Sequence, residues 1–248
     1  MARKILCLFE GIKRELNYFD SLLEALPNTD KSAHILCSYG NDLYELYKVV
    51  EKDRDLDVVE LLRDGEGGIN NSRLLMGVER DQVTDIYMFF DMECQDDQYS
   101  DKKLLEMINT FDDENEKGKL IISYPMIEAI RHVENTETFN CLKVSVEQCK
   151  GKIYKQLSAQ KSLRHLQNPK TIQLEHWQEL IRLNLAKANY IVNGSREISL
   201  PPEQLEIAKA QIAQKSQDDH IYVLAAYPLF AADYYGLDTL SFKTTEQS

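Results

Sequence analysis

Two short apolar runs stand out from the pattern of hydrophobic and polar positions, and each ends abruptly in acid. The first spans 5–9 and is followed by Glu10 and Gly11, and the second spans 86–90 and is followed by Asp91-Met92-Glu93. Uninterrupted apolar runs of this length are typical of strands that are buried on both faces, as in a parallel α/β sheet. The pattern therefore predicts two buried strands with carboxylates at their carboxyl ends.

The rest of the chain up to about residue 135 alternates between strand-like and helix-like patterns. Segment 57–62 fits either a strand or a helix, and the glycine-rich segment 65–71 is typical of a loop. Pro125 is predicted to occupy the first turn of a helix, where its fixed φ is tolerated. The other predicted strands are 33–39 and 119–123, and the other predicted helices are 13–26, 42–51 and 101–111.

Beyond residue 135 the pattern is mostly helical. We expect the apolar segment 219–235 to pack back on the core. The chain is thereby divided into an α/β domain, residues 1–135, with a Rossmann-like parallel sheet, and a mainly helical domain, residues 136–248. The helices predicted in the second domain are about 144–166, 174–192 and 202–216.

The composition of the chain indicates the environment in which the protein acts and excludes some kinds of partner. None of the 248 residues belongs to an apolar run of about twenty, so we expect no membrane span. The five cysteines contain no Cys-x-x-Cys pair, which favours a reducing cytoplasm and argues against a structural zinc site. A formal net charge of −12 argues against non-specific coating of nucleic acid by a wholly basic face.

One basic stretch departs from this acidic balance. Residues 148–174 contain no Asp or Glu but several Lys and Arg. The stretch is either the solvated face of a helix or an arm that contacts phosphates. Lys13 and Arg14, which follow the first acidic strand end, are further candidates for phosphate contact. The candidate nucleic-acid-binding residues are Lys13, Arg14, Lys150, Lys152, Lys155, Lys161 and Arg164.

The acids at the strand ends carry the candidate chemistry. Open α/β sheets form their ligand crevice at the carboxyl ends of the strands, so Glu10, Asp91 and Glu93 are predicted to meet there. Asp91 and Glu93 share that crevice only if the chain turns out of the strand. Carboxylates that meet cannot all stay ionised unless a cation joins them, and carboxylate oxygens suit Mg²⁺ or Mn²⁺. The alternative is that these acids only solvate turns.

Three further residues are second-tier candidates for the same crevice. Glu15 lies one turn into the first predicted helix, where the helix dipole also favours an acid. Ser123 and Glu128 flank Pro125, and they fit either the crevice or the cap and first turn of a helix. His132, one turn beyond Glu128, is more typical of a structural histidine.

These acidic strand ends resemble the signatures of the Toprim family, in which one apolar strand precedes Glu-Gly and a later one precedes Asp-x-Asp. More narrowly, Phe9-Glu10-Gly11-x-Lys13-x-Glu15-x-Asn17-Tyr18-Phe19 is similar to the opening of RloB-like proteins. Ser123-Tyr124-Pro125-Met126-Ile127-Glu128 is similar to a Ser-x-Pro-x-x-Glu segment of that group. The sequence departs from these patterns at Glu93, which replaces the second Asp, and at Arg14, which replaces a Thr. The resemblance covers about residues 5–132.

The resemblance implies a Toprim-like sheet, with Glu10 as general base or metal ligand and Asp91 as the principal Mg²⁺ ligand. Small Toprim proteins of this kind occur in bacterial anti-phage systems, among them the nuclease subunit of the PARIS system. It therefore implies a metal-dependent nuclease, a toxic effector of abortive infection that acts on DNA or RNA, tRNA included. An ABC-type ATPase is the implied partner, because the chain has no nucleotide-hydrolysing motif of its own.

Two other functions remain open at this point. One is a catalytically degenerate Toprim domain that serves as a binding or regulatory module. The other is a phosphohydrolase that forms an aspartyl phosphate on Asp91, with Lys119 and Ser123 in support. The number of metal ions, the nucleic acid cleaved and the formation of a homo-oligomer are not decided by the sequence.

Overall fold

A five-stranded, mostly parallel sheet organises the fold in the computed structural model, which describes residues 3–27, 29–65 and 68–240. The strands are β1 (Lys4–Phe9), β2 (His34–Ser38), β3 (Val83–Asp91), β4 (Asp112–Asp113) and β5 (Gly118–Ser123). Their order is β2-β1-β3-β5-β4, and only β4 is antiparallel to its neighbour. This confirms the prediction of an α/β protein with a parallel sheet.

Strand register decides which residues meet at the carboxyl edge of this sheet. Phe9 pairs with Phe89 between β1 and β3, and Asp91 pairs with Ser123 between β3 and β5. Because the three strands run in parallel, the residues that follow them leave the sheet at the same edge.

Eight α-helices lie within the described ranges. The helices predicted at 13–26, 42–51, 101–111, 174–192 and 202–216 are confirmed, and the ambiguous segment 57–62 is helical. The predicted loop 65–71 lies partly outside the described residues, at 66 and 67. The helices are α1 (Arg14–Ala25), α2 (Leu43–Lys52), α3 (Val58–Asp64), α4 (Asp101–Thr110), α5 (Gly151–Gln160), α6 (Leu174–Asn193), α7 (Gln204–Asp218) and α8 (Ala226–Tyr235).

The prediction of a helix starting at Pro125 is wrong. The Tyr124–Pro125 peptide bond is cis, and only a short 3₁₀ helix, Ile127–Ile130, follows. The backbone of Tyr124 instead bridges to Leu224, with N···O distances of 2.8 and 2.9 Å in the two directions. A partner a hundred residues away therefore keeps the chain extended where local periodicity indicated a helix.

The predicted helix at 144–166 is also wrong in its first third and in its last six residues. Residues Lys143–Ser145 form strand β6, which pairs antiparallel with β7 (His220–Tyr222). A 3₁₀ helix at Val146–Cys149 follows, and α5 covers only Gly151–Gln160. Pairing with β7 satisfies the backbone groups of β6, and this tertiary partner is invisible to a local pattern.

Helix α8 lies against the sheet through aromatic side chains. The ring of Phe89 on β3 lies 5.0 Å from that of Tyr227 and 5.3 Å from that of Phe230, and it stacks on Phe9 of β1 at 5.2 Å. Phe19 of α1 lies 5.3 Å from Phe230, so α1 and α8 share one layer over the sheet. The apolar C-terminal segment thus contributes to the core behind the carboxyl edge of the sheet. The division of the chain into two domains at residue 135 stays a prediction.

Phe230→Ala should destabilise the protein by about 3–5 kcal/mol, because it leaves a cavity between α8 and the sheet. The free energy of unfolding in urea measures this. Leu200→Ala is the control: Leu200 is 55% exposed, and its loss should change the free energy by less than about 0.5 kcal/mol. Equal effects of the two changes would contradict the packing described for α8.

Candidate functional site

Glu10 is held in place by backbone hydrogen bonds on both sides. Its N–H donates to the carbonyl of Phe89 at 3.1 Å, and its carbonyl accepts from the N–H of Gly40 at 2.8 Å. Its side-chain Oε2 accepts from the N–H of Asp91 at 3.0 Å. The end of β1 is therefore joined directly to the end of β3 through this carboxylate.

The chain turns sharply out of β3 after Asp91. The Met92 N–H donates to Ser123 at 3.0 Å, and the Met92 carbonyl accepts from the hydroxyl of Tyr44. Glu93 has a φ of 41°, in the left-handed region, and its N–H donates to the carbonyl of Pro125 at 3.3 Å. These contacts fix the turn that the sequence required if both acids were to face one crevice.

The three acids predicted to meet do meet. One carboxylate oxygen from each of Glu10, Asp91 and Glu93 lies within 4.8 Å of the other two. Asp91 is buried, and the other two side chains are half-buried. By the same measure Glu93 also belongs to a more exposed group with Asp42 and Asp96. The catalytic and metal-binding roles of these residues stay predictions.

The cluster carries negative charge that the surrounding residues leave largely uncompensated. Burial, and then the charges of Glu10 and Glu128, raise the pKa of Asp91 well above its usual value. Burial and the charge of Glu93 raise the pKa of Glu10 well above its usual value, although the hydrogen bond from the Asp91 N–H opposes this. Burial raises the pKa of Glu93 as well. A cation in the crevice would relieve the repulsion between these groups.

Glu15 folds back over the turn that follows β1. A Cβ atom on Gly11 would lie 2.5 Å from both of its carboxylate oxygens, so a larger residue at position 11 would displace this carboxylate. Burial raises the pKa of Glu15, with the charge of Glu128 adding to the effect and that of Arg14 opposing it. Gly11 and Glu15 therefore act together to bring a further acid to the crevice.

Glu128 borders the cluster from the β5 side and is completely buried. Its Oε1 accepts a hydrogen bond from Nη1 of Arg14, whereas its Oε2 is buried with no hydrogen-bond partner among the described residues. Ser123 is buried beside Asp91 in the sheet register. The next helix after Ser123 is the 3₁₀ helix Ile127–Ile130, whose N-cap is Met126, so the alternative that Ser123 caps an α-helix with Glu128 in its first turn is wrong.

The predicted nucleic-acid-binding residues have different surroundings. Lys155 is exposed, and its charge opposes the rise in the pKa of both Glu15 and Glu93. Lys150 pairs with Glu147 at 2.8 Å, and Lys161 pairs with Glu134 at 2.8 Å. Whether any of these residues contacts nucleic acid stays a prediction. The remaining exposed ones, which form no ion pair within the described ranges, are Lys13, Lys152 and Arg164.

Sequence reasoning missed the contribution of residues 149–151 to the site. A cavity of about 210 Å³ opens beside Glu93, and its lining also includes Asp96 and the segment that leads into α5, Cys149, Lys150 and Gly151. No local signal brings this segment to the strand ends, because the β6–β7 pairing positions it. The hydroxyl of Tyr44 was missed as well, because its contact with the Met92 carbonyl joins α2 to the end of β3 across 48 residues.

His132 is buried away from solvent, and its Nδ1 lies 3.1 Å from the hydroxyl of Tyr154. Burial, helped by the charge of Lys187, lowers the pKa of His132 to about 4. The imidazole is therefore neutral near pH 7, as a structural side chain would be.

The fold and site define an α/β protein with a carboxylate cluster at the carboxyl edge of its parallel sheet. Comparisons of the chain with family models, with curated proteins and with solved structures found no match. Among the described helices, none has the length and apolar character needed to cross a membrane. The resemblance to Toprim proteins therefore stays a prediction.

Asp91→Asn should stabilise the protein at pH 8 in EDTA by a few degrees in Tm, because it removes a buried charge from the cluster. Because the pKa of Asp91 is raised in the folded protein, the carboxyl group takes up a proton on folding at pH values between its unfolded-state and folded-state pKa. Its contribution to stability therefore falls as the pH rises from the unfolded-state pKa through the folded-state pKa. The gain should accordingly vanish near pH 4.

Thermal unfolding of both proteins across this pH range measures the effect. Asp81→Asn is the matched control, because Asp81 is exposed just before the other end of β3. A lower Tm for Asp91→Asn than for the unchanged protein at pH 8 would contradict the repulsion described here.

Proposed function

We propose that the protein is a divalent-metal-dependent nuclease with a Rossmann-like, Toprim-like sheet, which hydrolyses phosphodiester bonds in DNA or RNA. The observation that carries this proposal is the approach of three carboxylates, Glu10, Asp91 and Glu93, within 4.8 Å at the carboxyl edge of the sheet. Open α/β sheets bind ligands at this edge. The resemblance of the same three positions to the Toprim signatures supports the proposal independently of the geometry.

The side chains present fit Mg²⁺ or Mn²⁺. The three-carboxylate group offers only oxygen donors, which hard cations prefer, and none of its members forms an ion pair among the described residues. The unpartnered, buried oxygen of Glu128 adds to the demand for positive charge nearby. Glu10, Asp91 and Glu93 would hold the ion. When bound, a divalent ion polarises a phosphodiester and lowers the pKa of a bound water.

The side chains of the protein would orient the metal ligands and provide charged groups for the substrate. Glu10 cannot swing freely, because the Asp91 N–H holds its carboxylate. Glu15, whose pKa is raised by burial, would hold a proton more readily than an exposed glutamate. Lys155, which is exposed and whose charge acts on Glu15 and Glu93, would contact a substrate phosphate. With a net charge of −12, the protein must bind a polyanion locally, through such residues and not through its overall field.

The wider role is inferred from the resemblance alone. A nuclease of this kind would act in the cytoplasm as a toxic effector of anti-phage defence, held in check by an ABC-type ATPase partner. The aspartyl-phosphate alternative is disfavoured by the position of Lys119. Its Nζ bonds to Asp233 at 2.6 Å, and it lies four residues before Ser123 on β5, or about 13 Å along the strand.

Glu10→Gln and Asp91→Asn should each reduce Mg²⁺- or Mn²⁺-dependent cleavage by at least about 100-fold. Loss of even an outer partner of a metal ligand typically costs about 10- to 100-fold. Plasmid DNA, single-stranded DNA and tRNA are the substrates to assay. Asp81→Asn, with the same chemical change outside the crevice, should keep full activity. Undiminished cleavage by both site variants would exclude the proposed centre.

A catalytically degenerate domain that serves as a binding or regulatory module is the second candidate. Glu93 in place of an Asp favours it, because the longer side chain alters the geometry available to an ion. Calorimetric titration with Mg²⁺ and Mn²⁺ separates the two proposals: a nuclease should bind at least one of them with a Kd below a few millimolar, and Asp91→Asn should weaken that binding. Absence of binding of both ions in this titration would favour the module, because a protein without metal affinity cannot run the proposed chemistry.

A further inference from the structure

The ion pair between Arg14 and Glu128 is the one salt bridge that the described structure gives to the acids around the crevice. Glu128 is fully buried, whereas 44% of the Arg14 side chain is exposed. The guanidinium therefore reaches inward from the rim. It pairs with the acid whose charge acts on Asp91, Glu15 and Glu93.

Other cations near the site are engaged elsewhere or remain at a distance. Arg131 lies one turn beyond Glu128, but its guanidinium donates to Ser158 at 3.1 Å and to the carbonyl of Lys155 at 2.8 Å. Lys155 influences Glu15 and Glu93 but forms no ion pair with them within 4.0 Å. Arg14 is consequently the cation that neutralises Glu128.

Arg14 is placed rigidly, because it is the first residue of a well-anchored helix. The hydroxyl of Tyr227 donates to the carbonyl of Glu15 at 3.1 Å. One turn further along α1, the hydroxyl of Tyr18 donates to the carbonyl of Leu166 at 3.1 Å, and Ser21 donates to that of Pro169 at 2.7 Å. The guanidinium is therefore presented to Glu128 by a fixed backbone.

Only one of the two carboxylate oxygens of Glu128 is paired with Arg14. Arg14 bonds to one oxygen, and the second oxygen is buried with no hydrogen-bond partner among the described residues. A buried ionised oxygen without a partner is costly, so it attracts a cation whenever one has access. Glu15, whose pKa is affected by the charges of both Glu128 and Arg14, would offer a further ligand oxygen.

We propose that Arg14 is a positioning residue that keeps a second divalent cation away from Glu128 and Glu15, so that the crevice binds one ion fewer than its carboxylates allow. The inference rests on the proposed function, since it assumes that Glu10, Asp91 and Glu93 hold a first ion. A guanidinium is permanently charged, fills the space against Glu128 and repels a divalent ion a few ångströms away. A neutral side chain at position 14 removes all three obstacles.

The experiment counts and locates bound Mn²⁺ in the full-length protein. Anomalous diffraction from crystals soaked in MnCl₂ locates the ions, and titration followed by electron paramagnetic resonance counts them. The proteins compared are the unchanged chain, Arg14→Gln, Arg14→Lys as the control that keeps the charge, and the double variant Arg14→Gln/Glu128→Gln.

The unchanged protein should show an ion on Glu10 and Asp91 and none in contact with Glu128. Arg14→Gln should bind one additional equivalent, located on Glu128, and should gain a larger rise in Tm on Mn²⁺ addition. Arg14→Lys and the double variant should both return to the number found for the unchanged protein.

Failure of this inference is distinguishable from failure of the proposed function. An ion on Glu10 and Asp91 with the same count in the unchanged protein and in Arg14→Gln would overturn the role of Arg14 alone. An ion touching Glu128 in the unchanged protein would do the same, and this arm does not depend on any variant folding. The absence of bound Mn²⁺ from the unchanged protein would overturn both.

Discussion

The hydrogen bond from the Asp91 N–H to the Glu10 carboxylate is the contact on which the rest of the site depends. It joins two acids that are 81 residues apart in the sequence and that follow or end different strands. It forms because β1 and β3 pair in parallel up to Phe9 and Phe89. The same contact places the two negative charges side by side in a half-buried edge of the sheet. Each further acid that enters this edge raises the cost of leaving it without a cation.

The surrounding structure is built to hold these like charges together. The turn after Asp91 is held by Tyr44 from α2, by Ser123 from β5 and by the carbonyl of Pro125. Behind the edge, the aromatic layer of α1 and α8 packs on the Phe9–Phe89 pair. Hydrophobic packing therefore offsets an electrostatic repulsion, an arrangement typical of sites whose function requires charge at some expense in stability.

The C-terminal part of the chain contributes to the site at two places. Helix α8 supplies Tyr227, which anchors the start of α1 next to Glu15. The β6–β7 pair brings the beginning of α5 to the cavity beside Glu93. Residues beyond 135 therefore help to shape the crevice, although its predicted metal ligands, Glu10, Asp91 and Glu93, all lie before residue 135.

The sequence by itself predicted four of the sheet's five strands, five of the helices and the position of Glu10 and Asp91 at one edge of the sheet, whereas the turn that brings Glu93 to them depends on contacts from Tyr44 and Pro125. Buried strands and amphipathic helices leave a local apolar period, and parallel strands must end at the same edge. Only the tertiary structure decided that no α-helix begins at Pro125 and that the segment 144–166 begins as a strand. Leu224 and β7 supply the backbone hydrogen bonds there, from distant parts of the chain. The pairing of Arg14 with Glu128 and the arrival of residues 149–151 also came from tertiary structure alone. Contacts between segments 75 or more residues apart, or across an irregular turn, leave no periodic signal in the sequence.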